Sequence, residues 1–400
     1  MDNIWRKNLY VLWAGVFLCS SAYSMAIPFL PLFMNQDLGV ENHLEMWSGL
    51  AFGITFLASA LISPYWGSLA DKYGRKPMIL RAGFCLFILY LLCYFVRNPY
   101  ELLAVRLLQG LLTGYVPSAT ALIATNTPER NVGYALGVMS TAGASGGIIG
   151  PLIGGAVSQF IGFRNSFLAA GMLVLAATLI AWLWVKEVNF NRNKARSHVW
   201  NDLKEAAANK PLMRVMFTTM FVGSSVMVLE PLLTIYVLEL GADRQSASLS
   251  SGLIFSAVGI ATVLAAPQWG RIGTRIGFHR TLVIGLLGGA LGNLLQVFFH
   301  SLFGFGALRF GYGLFFAAVY PSLNAMIVKA TPAEFRGRAF SLNQSANQLG
   351  TMVGPLIGGA LGGWISIPFV FVLTGCALCC AAWFSRLGWK RQPPSASVSG

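Results

Sequence analysis

The sequence predicts an all-α integral membrane protein with twelve transmembrane helices in two pseudo-symmetric six-helix bundles. Composition is the first reason: 56% of residues are hydrophobic and only 10% charged, against about 25% charged in soluble domains. An internal repeat is the second. Pro64, Trp66, Gly67, Leu69, Lys72 and Gly74 return as Pro267, Trp269, Gly270, Ile272, Arg275 and Gly277, each 203 positions later. The third reason is where the charge sits. A net charge of +14 would suggest nucleic acid on a soluble chain, but here the lysines and arginines cluster between apolar runs. That is the pattern of cytoplasmic loops, and no nucleic-acid partner is expected.

A helix needs about 20 mostly apolar residues to cross a bilayer. Six such runs fill the first half, at 9–34, 47–69, 78–96, 101–125, 134–160 and 165–186. Six more fill the second, at 212–238, 250–269, 281–300, 302–328, 339–363 and 367–386. The bundles are therefore 1–186 and 212–386, with a cytoplasmic linker at 187–211 and a cytoplasmic tail at 387–400. Arg6 and Lys7 before the first run imitate a signal peptide. That run exceeds the 7–15 residues of a signal h-region, and its Pro28 recurs as Pro231, so it is expected to stay.

Orientation follows from the basic residues. Loops on the N-terminal side hold 23 of the 28 lysines and arginines, whereas the opposite loops hold only Arg97, Arg164 and Arg244. Both termini and the linker are expected in the cytoplasm. Asp37 and Glu239, at helix ends on the other side, read as solvated. The repeat continues through Arg106 and Gly110, which return as Arg309 and Gly313, and through Gly146, Gly150, Pro151, Gly154 and Gly155, which return 204 positions later as Gly350, Gly354, Pro355, Gly358 and Gly359. Parallel repeats about the membrane normal belong to transporters that rock one half against the other around a midplane site.

Three of these stretches resemble family signatures. Gly67-x-Leu69-Ala70-Asp71-x-x-Gly74-Arg75-Lys76 resembles the loop between helices 2 and 3 of the major facilitator superfamily, and Arg106-x-x-Gln109-Gly110 its helix-4 motif. Gly146-x-x-x-Gly150-Pro151-x-x-Gly154-Gly155 resembles the helix-5 motif of the twelve-helix drug:proton antiporter branch. The resemblance implies a latch in which Asp71 meets the positive end of helix 11 near residues 338–340 and Arg75 pairs with an acid such as Glu129. The plainer reading is a solvated turn that only sets topology. In the second copy Asp71, Arg75 and Lys76 become Thr274, Phe278 and His279, so no charged latch is expected there. For Arg106 the resemblance implies a gate or proton relay; the alternative is an arginine bonded to backbone carbonyls. For the glycine run it implies a tight interface between the halves that blocks leak.

Glu230 is the most informative single residue. It lies among apolar residues of the seventh run, directly before Pro231, and its first-half counterpart is Ile27. A carboxylate at that depth is costly and should face a cavity or be protonated, which suits proton coupling; a structural carboxylate bonded to an amide or arginine is the alternative. Arg309 reads as the less functional arginine, nearer a helix end. Polar groups gather in the second half at Asn324, Asn343, Gln344, Asn347 and Gln348, and Tyr23, Tyr115, Tyr236, Phe315 and Tyr320 are candidates for an aromatic cavity. Amides bonding between helices are the competing explanation.

The resulting expectation is a proton-driven antiporter in the bacterial inner membrane that exports amphiphilic or hydrophobic small molecules by alternating access. Its partners are those molecules, protons and lipid; a monomer is expected, with no cofactor beyond the proton gradient. Rivals are a same-fold exporter of a sugar or metabolite and a passive uniporter or channel. All six cysteines lie in apolar runs without metal-ligand spacing, and no Gly-x-x-x-x-Gly-Lys loop or Gly-x-Ser-x-Gly elbow occurs. Neither a metal site nor enzyme activity is expected.

Overall fold

The structure, a computed structural model, describes residues 2–188, 199–243, 246–332 and 335–389. Residues 189–198 of the expected linker and the tail beyond 389 lie outside the described residues, as do the side chains of Asp71 and Glu129. The first half holds α1 (Asp2–Met25), α2 (Leu30–Gln36), α3 (Leu44–Tyr73), α4 (Arg75–Phe95), α5 (Pro99–Leu112), α6 (Tyr115–Asn126), α7 (Glu129–Ile161) and α8 (Phe163–Trp184). A short helix, α9 (Val199–Ala208), leads into the second half. That half holds α10 (Lys210–Val228), α11 (Glu230–Glu239), α12 (Ala247–Ile276), α13 (Phe278–Gln296), α14 (Leu302–Phe316), α15 (Val319–Ala330), α16 (Arg336–Trp364) and α17 (Ile367–Trp389).

Eleven helices or helix pairs among the described residues are long and apolar enough to cross a membrane, counting the bent α1–α2 pair as one. The twelfth expected span, α16, has 29 residues but falls short in apolarity, because Asn343, Gln344, Asn347 and Gln348 crowd its first half. Exposed aromatic rings ring both ends of the bundle, Phe160, Phe303 and Trp364 at one and Trp182 and Trp383 at the other, as expected at membrane–water interfaces.

Four spans that read as continuous in sequence are broken: α1–α2, α5–α6, α10–α11 and α14–α15, which are the first, fourth, seventh and tenth. Each break has a proline at or just after it: Pro28, Pro117, Pro231 and Pro321. A proline has no N–H for the carbonyl four residues back and its ring clashes there. Pro117 thus frees Thr113 O, and Arg81 Nη2 donates to that carbonyl at 3.0 Å. The neighbouring carbonyls take tryptophan donors, Trp66 Nε1 to Leu111 O and Trp269 Nε1 to Leu314 O, both at 2.7 Å. These bonds are repeat-related, and they satisfy backbone that a bilayer would leave unpaired.

Candidate functional site

The two ends of the bundle differ. One end, the basic face, carries the turns at Gly74 and Gly277 and helix α9; the other, the far face, carries the turns at Gly162 and Gly241. At the far face the halves meet backbone to backbone, α7 on α12 and α3 on α16. A Cβ on Gly155 would come 2.5 Å from Ser248 O, and one on Gly359 would come 2.6 Å from Glu45 O. Ser256 Oγ donates across this seam to Ile148 O at 2.6 Å, and the Ser158 and Ser248 hydroxyls bond to each other. Toward the basic face the same helices part: at Gly67, Gly137 and Gly270 a Cβ would meet nothing within 4 Å. The molecule is closed at the far face and open at the basic face.

This geometry divides the helix-5 motif. Gly146, Gly150 and Gly154, spaced four apart, pack on α1 within their own half, against Phe17 O, Ser21 O and Met25 O. Only Pro151 and Gly155 reach the other half, where they meet Gly252 and Ser248. The second half repeats the arrangement: Gly350, Gly354 and Gly358 pack on α10, while Pro355 and Gly359 meet Gly49. Three of the five motif positions therefore hold one bundle together, and two seal the halves.

The candidate cavity residues separate in the same way. Phe315, Tyr320, Asn324 and Gln344 are exposed and Tyr23 is half-buried. Gln348 lines a recess of about 250 Å³ between α3, α6 and α16, together with Ser63, Trp66, Thr113 and Ser118. Two expectations are corrected. Tyr115 is 2% exposed and donates to Ala177 O at 2.9 Å, inside the first bundle. Tyr236 is 3% exposed and packs edge-on against Phe305 and Phe371 near the far face. Both rings are core because the helix faces that carry them turn into their own bundles. Asn343 and Asn347 also face inward: the Asn347 amide lies against Gly223 of α10, while Gln344 and Gln348, about 100° further round α16, face the opening.

At the loop after α3, Gly74 takes φ 100°, where a side chain would be strained and would also press on Glu187. Glu187 accepts the backbone N–H of Arg75 at 2.8 Å and of Lys76 at 2.9 Å. It supplies the cap that Gly74 cannot and holds a negative charge at the positive end of α4. Arg75 Nη1 donates to Thr125 Oγ1 at 3.3 Å, so the end of α6 is its neighbour. Lys76 Nζ donates to Trp182 O, and His279, its counterpart, makes the equivalent contact with Ser385 O, both at 2.9 Å. Removal of the Glu187 carboxylate by Glu187→Ala is expected to cost about 1 kcal/mol, roughly a fivefold loss of hydrogen-exchange protection at the Arg75 and Lys76 amides. Unchanged exchange there would mean that Glu187 caps nothing.

Asp37 is not simply solvated. Its Oδ2 lies 3.3 Å from Arg164 Nε, and Arg164 Nη1 also donates to Tyr94 O and Val96 O at 2.6 and 2.7 Å. Burial pushes the Asp37 carboxyl above its usual range and Arg164 pulls it back. Glu239 is exposed.

Deep in the bundle stand Arg106 and Arg309, 2% and 8% exposed, each seven residues past the start of α5 or α14. Arg309 is therefore no nearer a helix end than Arg106. Arg106 Nη1 donates to Gln109 Oε1 at 3.3 Å. Three residues on from Arg309 the amide is replaced by Tyr312, whose ring centroid lies 5.2 Å from the guanidinium. Gly110 and Gly313 let these helices approach Thr55 O and Val258 O. Glu230 opens α11 at the break in the seventh span. It is half-buried. The Tyr23 ring, in the first half, packs edge-on against Phe56. Arg309, which sequence reasoning set aside, is buried at the place in the second half that Arg106 holds in the first.

A sequence profile of the Major Facilitator Superfamily matches residues 12–252 and 215–400. The chain belongs to this superfamily. It is 39% identical to the multidrug resistance protein MdtG of Serratia proteamaculans over 345 residues, 85% of this chain and 84% of that one. To the MdtG of Salmonella typhimurium it is 38% identical, with 85% of each chain covered. Among solved structures it resembles a bacterial homolog of the human lysosomal transporter Spinster, with a TM-score of 0.79 at 16% identity over 97% of this chain and 98% of that one. It also resembles the nucleoside transporter NupG, with a TM-score of 0.76 at 15% identity over 96% of this chain and 100% of that one. These neighbours share the all-α transporter fold.

Proposed function

We propose that the protein is a multidrug exporter of the bacterial inner membrane that moves small amphiphilic molecules out of the cytoplasm in exchange for protons. One observation carries the reading: among the described residues the lone carboxylate of the bundle interior, Glu230, stands at a helix break, in a molecule whose halves are sealed at one face and part at the other. Similarity to proteins named for multidrug resistance supports the substrate class. The lysine and arginine excess supports placing the basic face, and with it both termini, in the cytoplasm, so that the conformation described above faces inward. In the cycle, Glu230 takes a proton while the far face is open, and the halves rock inward. Loss of the proton to the cytoplasm then lets substrate bind beside Glu230, Tyr23 and the open face of α16. No catalytic group or cofactor enters, since the energy comes from the proton gradient.

The test is Glu230→Gln in inverted membrane vesicles, with a panel of dyes and antibiotics and with or without an uncoupler. The variant should reach the membrane in wild-type amounts and lose proton-driven transport by about a hundredfold or more, as when a residue acting in the reaction step itself is removed. Wild-type transport in Glu230→Gln would sink the assignment.

A further inference from the structure

At the far face a recess of about 630 Å³ lies between the ends of α2 and α7 and the start of α8. That volume is typical of small-molecule sites, about 300–1,000 Å³. Its charged wall is the Asp37–Arg164 pair, with side chains 28% and 33% exposed. Arg164 spends Nε on Asp37 and Nη1 on two carbonyls, while Asp37 uses Oδ2. Among the described residues Arg164 Nη2 and Asp37 Oδ1 take no protein partner, so the pair keeps one donor and one acceptor for a ligand. The fold does not require these charges, because their repeat counterparts are Leu240 and Pro368. Beside Arg164 a Cβ on Gly162 would meet nothing within 4 Å. Phe160 and Ile161, 80% and 49% exposed, also line the recess, and Phe160 belongs to the aromatic ring at this end of the membrane. Ser158 and Ser248 complete the lining, and their hydroxyls bond across the seam. Ser248 comes from the second half, so the recess is whole only while the far face is closed.

We propose that this recess binds the headgroup of a zwitterionic, amine-bearing phospholipid from the leaflet at the far face, and that the bound lipid favours the conformation closed there. The headgroup matches the wall charge for charge. Its phosphate takes the free guanidinium nitrogen of Arg164, the side chain best suited to phosphate. Its ammonium donates N–H to Asp37 Oδ1, which a quaternary ammonium, having no N–H, cannot do. The rim of Phe160 and Ile161 meets the acyl chains, which a soluble zwitterion lacks. A ligand that fits one conformation shifts the population toward it by its difference in affinity. Opening of the far face separates Ser248 from the rest of the recess, so the lipid holds the halves in the arrangement described here. Nothing in this inference depends on what the protein exports.

The experiment needs no substrate. The purified full-length protein is placed in nanodiscs of phosphatidylethanolamine, phosphatidylcholine or phosphatidylglycerol with matched acyl chains. Spin labels at Gly67→Cys and Gly270→Cys, positions with open space around them, report the opening of the basic face, with Cys376→Ala and Cys380→Ala removing the exposed native thiols. Phosphatidylethanolamine should shift the equilibrium toward the open basic face by about fivefold or more relative to either other lipid, the lower end of ordinary coupling between sites. Asp37→Asn should abolish that shift. Gln159→Trp, at an exposed position on the recess wall, should fill the recess, leave the ion pair in place and abolish the shift as well. Equal behaviour in the three lipids overturns the proposal. A shift that survives Asp37→Asn belongs to the bilayer as a whole, and one that survives Gln159→Trp marks Asp37 as a clamp for α2; either overturns it. Soluble phosphoethanolamine, added to phosphatidylcholine discs, should do nothing, and a full shift there would overturn the lipid as the ligand.

Discussion

Leucine in place of Gly358 should leave no folded protein to assay. A Cβ at this position would overlap Val228 O and lie about 3 Å from Val228 Cα. The opposing atoms are backbone, at the last residue of α10 before the break that precedes Glu230. Gly350, Gly354 and Gly358 form one row along α16, and this row makes the closest helix pairing of the second bundle. Extra methylenes in a packed core cost about 1–3 kcal/mol when neighbouring side chains can shift. Here the neighbour is a main-chain carbonyl, and a separation of α10 from α16 would open the row along its length. The expected loss exceeds about 5 kcal/mol, in the range where single substitutions unfold marginal proteins. Gly154→Leu, its repeat partner against Met25 O, should behave alike. Fluorescence of a reporter fused to the C-terminus and gel filtration in detergent measure this; a monodisperse peak at wild-type yield would contradict the packing.

Much of the architecture was legible because membrane physics writes it in coarse units. Runs of about 20 apolar residues, lysines between them and an offset of 203 need no side-chain geometry. The breaks in four spans were not legible, since hydropathy runs straight through Thr113–Gly114 and Ala317–Ala318 even though Pro117 and Pro321 mark both. Glu230 was legible as an acid without a repeat partner. The burial of Arg309 was not, because position along a run does not say how far neighbouring helices cover a side chain. Glu187 lies 112 residues from the amide of Arg75 that it caps, and no local pattern announces such a pairing. Rotation about a helix axis was the other hidden quantity. Asn343 and Gln344 are adjacent in sequence and face different neighbours, and Tyr115 and Tyr236 turn into their own bundles while Tyr320 does not.

Leucine at Gly359, one residue beyond Gly358, should instead give a protein that folds and cannot take up the conformation described here. A step of about 100° round α16 turns this position from α10 to α3, so that its Cβ would stand 2.6 Å from Glu45 O and 2.8 Å from Gly49 Cα. Each half has buried clusters of its own on either side of this seam, and the substitution leaves both intact. What it wedges apart is the closure of the far face. A bias of about 3 kcal/mol, from forcing a side chain against backbone, leaves under about 1% of molecules closed at that face. Yield and gel-filtration profile should match the wild type, and labels at Gly67→Cys and Gly270→Cys should move closer together as the halves rock the other way. Transport should fall by about a hundredfold, because a cycle of alternating access cannot run from one state. Gly155→Leu, against Ser248 O on α12, should reproduce the phenotype from the opposite side of the seam. If Gly359→Leu were instead lost from the membrane like Gly358→Leu, the seam would be part of the folded core and not a surface that opens. The two glycines thus separate, within one peptide bond, the contacts that hold a bundle together from those that a transport cycle must break.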